Sequence, residues 1–190
     1  MKLFHRTYKH HTDEQLMKLL SVHMDGTVIE ELHKRYASKL TSFSARMLTN
    51  RTAAEDLVQE VFIKIIEKPH AFDAEQKFST WVFTIAHNLC LNAIRNEQNR
   101  DRLLQEHYEV QEQFTQHSTM DMKLIKSQVN AVFKDFSEKE KAVFIFRFEH
   151  ELNLKEIASI LSIPEGSVKS CIYYMLKKIS DQLTPFTNTN

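Results

Sequence analysis

The sequence predicts an all-α protein: two helical domains joined by a flexible linker, the C-terminal one a helix-turn-helix. Three observations carry this. The only glycines and prolines among 190 residues are Gly26, Gly166, Pro69, Pro164 and Pro185, too few for the turns that a sheet protein needs about every eight to twelve residues. Apolar residues recur at helical spacing along most of the chain. Between two such stretches, residues 98–121 turn polar and glutamine-rich, the composition of a linker or marginal helix.

The elements follow in order. Asp13-Glu14 opens an apolar pattern at Leu16, Leu19, Leu20 and Met24 that breaks at Gly26. A second helix runs from Thr27 through Leu32, Tyr36, Leu40, Phe43 and Leu48, with Asn50 as its expected C-terminal cap. Thr52-Ala-Ala-Glu55 has the form of a capping box, in which the threonine oxygen takes an orphan N–H and the glutamate reaches back. The helix it opens carries Leu57, Val58, Val61, Phe62, Ile65 and Ile66 and stops before Pro69. A polar stretch from Asp73 to Ser79 leads into a helix spanning about Thr80 to Asn96. Past the linker, the pattern returns from Met120 through Leu124, Val129, Val132, Phe133 and Phe136, followed by helices near 137–149, 153–162 and 165–183. The bounds that follow are a disordered tail at 1–12, a first module at 13–97, a linker at 98–121, a second module at 122–185 and a tail at 186–190.

In the second module, Leu154 to Ser170 has helix-turn-helix grammar. Ile157, Ala158, Ile160 and Leu161 form an apolar face, Ile163-Pro164-Glu165-Gly166 a turn that a glycine can close, and Val168 restarts the pattern. At about 100° per residue, Val168, Ile172, Met175, Ile179 and Leu183 form one stripe. Ser167, Ser170, Cys171, Tyr174 and Lys178 fall opposite, flanked by Tyr173 and Lys177. Small residues early in such a helix allow approach to base edges, and lysines further along can take phosphates. A helical hairpin with a solvated outer face is the plainer alternative.

In the first module, Asp56, Gln59 and Glu60 stand at i, i+3 and i+4 and share one face, away from most of the apolar stripe. Alone, that pattern fits a solvated face. On the helix from Thr80, the wheel places Trp81, Thr84, Asn88, Asn92 and Arg95 on one side and Val82, Ala86, Leu89, Cys90 and Ala93 on the other. The chain's only tryptophan is thereby set among amides and an arginine, where it suits stacking on a base, although a lone tryptophan equally suits a core.

Charge and composition exclude other classes. Lysine plus arginine and aspartate plus glutamate both number 25, whereas a protein that holds nucleic acid unaided shows a basic surplus. Cys90 and Cys171 make neither a disulfide framework nor a zinc pattern. His10 and His11 are adjacent, so their side chains diverge, and no Cys/His spacing suits a metal. No nucleophile elbow, carboxylate-rich metal motif or glycine-rich nucleotide loop is present, so no catalytic residues and no cofactor are expected. With neither a signal peptide nor an apolar run of membrane-spanning length, the expectation is a cytoplasmic protein without membrane insertion.

Glu55-Asp-Leu-Val-Gln-Glu-Val-Phe62, Lys77-Phe-Ser-Thr-Trp81 and Ile85-Ala-His-Asn88, followed by the helix-turn-helix, resemble the bacterial sigma factors, and within the sigma-70 family the two-domain extracytoplasmic-function (ECF) group. The resemblance spans about Asp13 to Leu183, with the motifs in the expected order. It implies that residues 13–97 are sigma region 2 and 122–185 sigma region 4. Asp56, Gln59 and Glu60 would contact core RNA polymerase. Phe72, Lys77, Phe78, Ser79 and Thr80 would belong to the loop that captures a base flipped from the −10 element, with Trp81, Asn88 and Arg95 on the bordering helix. Ser167, Lys169, Ser170, Cys171, Tyr173, Tyr174, Lys177 and Lys178 would read the −35 element. Implied partners are core RNA polymerase, promoter DNA and an anti-sigma factor. The chain departs from many relatives in having Cys171, Tyr173, Tyr174 and Leu176 where those carry arginine or other basic residues. A stand-alone helix-turn-helix regulator, its first module serving dimerisation or sensing, is the alternative.

Overall fold

The computed structural model describes residues 8–48, 50–104 and 129–183, in two compact units, Met1–Gln105 and Glu106–Asn190. Among the described residues every regular element is helical. The first unit holds α1 (Asp13–Val22), α2 (Gly26–Leu48), α3 (Arg51–Glu67) and α4 (Phe78–Leu104), with a 3₁₀ turn at Pro69–Ala71. Its core is built from Leu16, Met17 and Leu20 of α1, Leu32, Leu40 and Phe43 of α2, Val61 and Ile65 of α3, and Phe78, Val82, Phe83 and Ala86 of α4, all essentially inaccessible. Each of the larger of these side chains contributes about 1.5–3 kcal/mol on burial, and α2 carries the most load because it packs on the other three helices.

Caps explain the helix starts, and here the structure corrects two expectations. Thr12 and Gln15 form a capping box on α1. Asp25 accepts the Thr27 N–H at 3.0 Å at the start of α2. Asn50 does not close α2; its Oδ1 accepts the Ala53 N–H at 3.1 Å and caps α3. Thr52 and Glu55 therefore lie inside α3 rather than forming its capping box, and Glu55 pairs with Arg51 at 3.2 Å. Asparagine is at least as good a cap as threonine, and starting there adds helical residues together with an i,i+4 ion pair.

The last helix of the first unit runs past its expected end at Asn96. Nothing between Glu97 and Arg100 breaks a helix, Glu97 approaches Arg100 at 3.9 Å, and α4 continues to Leu104. The remainder of the expected linker lies outside the described residues, as does the pattern at Met120 and Leu124. Of the expected tail, residues 1–7 lie outside them. Tyr8 to Thr12 are ordered: Tyr8 is 7% exposed and donates to Asp25 Oδ2 at 2.7 Å. Arg35 donates to the carbonyls of His11, Tyr8 and Lys9. These contacts are long in sequence, which is why local composition misses them.

The second unit comprises helical residues 129–134 (α5), α6 (Glu138–Phe144), a π-helical turn (Ile145–Glu149), α7 (Leu154–Leu161) and α8 (Glu165–Leu183). Capping boxes start α6, through Ser137 and Glu140, and α7, through Asn153 and Glu156. Phe133, Phe136, Phe144 and Phe148 stack in a ladder with centroid separations of 5.1–6.2 Å. Between α7 and α8 the chain reverses at Ser162, in the left-handed region at φ 53° and ψ 43°. Gly166 does not close the turn; it lies within the first turn of α8 with no positive φ. Serine is not β-branched, so the left-handed conformation costs it less than it would a valine, isoleucine or threonine.

Candidate nucleic-acid interface

Three surfaces emerge from this scaffold. The first is an aromatic site at the start of α4. Pro69 sets a 3₁₀ turn, Phe72 follows it, and Asp73 accepts the Glu75 N–H at 3.0 Å to shape the loop. Phe72 and Trp81 pack with ring centroids 5.4 Å apart, Phe78 lies 5.8 Å from Phe72 and 6.0 Å from Trp81, and Tyr36 reaches Phe78 edge-on at 5.0 Å. Phe72, Ser79 and Trp81 are half-buried, and Lys77, Asn88 and Arg95 are exposed. Two expected contact residues are not surface groups in this chain: Phe78 is 0% exposed and Thr80 8%. The Phe78 ring lies beside Trp81, and α1 and α2 both reach Phe78, through Glu14 at its N–H and Tyr36 at its ring. Trp81, Asn88 and Arg95 are seven residues apart on one face of α4, so successive side chains stand about 10.5 Å apart along it, forming a track.

The second surface is the outer face of α3. Leu57, Val58, Val61, Phe62 and Ile65 are buried, while Asp56, Gln59 and Glu60 are exposed, with Glu60 3.4 Å from Lys64. Sequence reasoning missed Ile63, which is 51% exposed on this polar face. The helical wheel carried the signal: at 100° per residue Ile63 falls between Gln59 and Glu60. An apolar side chain ringed by amide and carboxylate is the pattern of a protein-binding patch.

The third surface is α8. Tyr173 at 65% exposure, Tyr174 and Leu176 stand out with Lys169, Ser170 and Lys177, and the two tyrosine rings meet edge-on at 5.4 Å. Ser167 is half-buried, and Ser170 Oγ donates to the Gly166 carbonyl at 3.0 Å. Lys178 Nζ binds Glu140 Oε1 at 2.7 Å, so one expected phosphate contact is engaged within the unit. Burial alone would raise the Glu140 pKa, but the Lys178 ammonium and the Ser137 donors hold the carboxyl below its ordinary range.

Cys171 corrects the wheel. It is 9% exposed, not on the open face. It stands only about 60° from Val168 on the wheel, and α8 packs against both α6 and α7, which widens the covered sector to include it. Burial, then Glu140, raises its thiol pKa, so the group stays protonated and does not resemble an activated cysteine. Cys90 is core, its thiol pushed up to about 12 by burial. Among the described residues no group of three or more His, Cys, Asp or Glu could hold a metal, and no helix is long and apolar enough to cross a membrane.

Comparison with known proteins matches this division of the chain. The family model Sigma-70 region 2 matches residues 32–100, and the model Sigma-70, region 4 matches residues 132–181. The chain is 31% identical over 160 residues to the ECF RNA polymerase sigma factor SigW of Bacillus subtilis, covering 78% of this chain and 84% of that one. It is 27% identical over 184 residues to the ECF RNA polymerase sigma-E factor of Haemophilus influenzae, covering 92% and 96%. Among solved structures, CnrH in complex with the cytosolic domain of CnrY has a TM-score of 0.68 at 17% identity, covering 92% of this chain and 98% of that one. The sigma factor RpoE in complex with the anti-sigma factor NepR, from Bartonella quintana, has a TM-score of 0.63 at 20% identity, covering 82% and 96%. Those two likenesses establish the fold.

Proposed function

Because the chain belongs to the ECF group of the sigma-70 family, we propose that it binds core RNA polymerase and directs it to promoters through two DNA-reading surfaces, one on each unit. It is a transcription initiation factor and not an enzyme; the polymerase performs the chemistry. The observation that carries the reading is the pairing, on one small unit, of the exposed α3 face with the half-buried aromatic site at Trp81. A stand-alone DNA-binding regulator has no use for both.

Asp56, Gln59, Glu60 and Ile63 dock on the polymerase. Phe72, Lys77, Ser79 and Trp81 receive a base unstacked from the −10 element over the floor of Phe78, and Asn88 and Arg95 guide the strand. Unstacking costs a few kcal/mol per base, which ring contacts and a hydrogen-bonded pocket offset. The α8 face enters the −35 major groove: Lys169 and Lys177 suit phosphates, and the tyrosines and Leu176 suit thymine methyls. The near-neutral charge fits a protein that borrows the polymerase's DNA contacts. The neighbour RpoE of Bartonella quintana is in complex with the anti-sigma factor NepR, and such a partner, covering these faces in the cytoplasm, is the proposed off state.

Titrating labelled protein into core polymerase tests the docking. Gln59→Ala/Glu60→Ala should weaken association at least about tenfold, the scale of interface hot spots, with folding intact. Wild-type affinity in that variant would remove α3 from the interface.

A further inference from the structure

We propose that Glu14, on α1, is a positioning residue for the aromatic site: its carboxylate caps the start of α4 and holds Phe78 and Trp81 in place. The assignment rests on the reading of that site as the −10 pocket only for its consequence in promoter opening, not for the anchoring itself.

The first turn of α4 lacks what a helix start needs. Lys77 occupies the cap position, its carbonyl accepting the Trp81 N–H at 3.2 Å, and the first turn carries no acidic residue. A lysine there supplies no acceptor and brings positive charge to the positive end of the helix dipole. Glu14 Oε1 accepts the Phe78 N–H at 3.0 Å across 64 residues of sequence. It provides acceptor and charge together.

The adjacent residue reinforces the anchor. Asp13 accepts from the Tyr36 hydroxyl and pairs with Arg35 at 2.7 Å, and the Tyr36 ring lies edge-on against Phe78 at 5.0 Å. Neighbouring carboxylates on α1 thus hold Phe78 by its backbone and by the ring beside it. Arg35, on α2, in turn holds the Tyr8, Lys9 and His11 carbonyls that lead into α1. Phe78 is the floor under Trp81, so freeing its backbone lets both rings shift.

The test uses the full chain, in which Trp81 is the only tryptophan and reports the site directly. In Glu14→Ala, acrylamide quenching of Trp81, measured well below the unfolding temperature, should rise, and the lifetime of open complexes on core polymerase should fall about fivefold, the scale of a lost cap. Affinity for core polymerase should stay within about twofold, since α3 is untouched. Glu14→Gln retains an oxygen for the Phe78 N–H and should recover most of the quenching protection. Leu20→Ala, a core truncation in the same helix, controls for general destabilisation. Unchanged Trp81 quenching in Glu14→Ala, or equal changes in Leu20→Ala, would overturn the assignment. If wild-type protein forms no open complex on core polymerase, the promoter-opening reading fails by itself, and the quenching comparison still decides the anchor.

Discussion

His87 sits on α4 at 7% exposure with its Nδ1 unpartnered, and burial lowers its pKa to about 4 from 6.5. In the unfolded chain it takes a proton near 6.5; in the folded chain only near 4. Between those values the unfolded state binds more protons, so stability falls as pH drops through this window and is level below it. The whole span is worth about 3 kcal/mol. Urea denaturation at pH 7 and pH 5 should show a loss in wild type that His87→Leu reduces, and equal losses in the two proteins would contradict the account. At this scale the sequence is legible wherever one helix face decides the environment: Asp56, Gln59, Glu60 and Asn88 are exposed as the wheel predicts. It misleads where a second neighbour widens the covered sector, as at Cys171, or where helices converge, as at Phe78. The Glu14 contact to Phe78 has no local signature.

At the scale of elements, α3 and α6 make separate predictions. Ile63→Ser on the exposed face of α3 should leave stability within about 0.5 kcal/mol yet weaken polymerase binding by about tenfold; undiminished binding would reduce Ile63 to a solvated side chain. Glu140 joins the Ser137 cap to Lys178 of α8. Glu140→Ala should therefore destabilise the second unit by about 1 kcal/mol, seen as a lower thermal midpoint by circular dichroism. Trp81 fluorescence, which follows the first unit, should show an unshifted transition. The helices themselves were legible in order because their apolar periodicity is strong. Their ends were less so, since Asn50 and Thr52 are both competent caps and only the register of the whole helix selects between them. The extension of α4 to Leu104 follows from a stretch that is polar yet free of breakers, two properties that composition does not separate.

For the whole molecule, charge sets the terms. Residues 1–100 carry 14 basic against 12 acidic groups, and residues 101–190 carry 11 against 13. On α8 only Lys169, Lys177 and Lys178 are basic, and Lys178 is paired with Glu140. The protein alone should hold duplex DNA weakly, with a logarithmic salt slope of only about −2 to −3 for two or three phosphate contacts. Anisotropy titrations over a range of salt would reveal it, and a slope near that of a strongly basic repressor would contradict shared DNA contact with the polymerase. If this chain gives core RNA polymerase its start sites, run-off transcription on genomic fragments, with core polymerase in the presence and absence of the protein, will show it. Discrete start sites should require the protein and vanish with Gln59→Ala/Glu60→Ala. Start sites independent of the protein, together with tight binding of the free chain to duplex DNA, would contradict it.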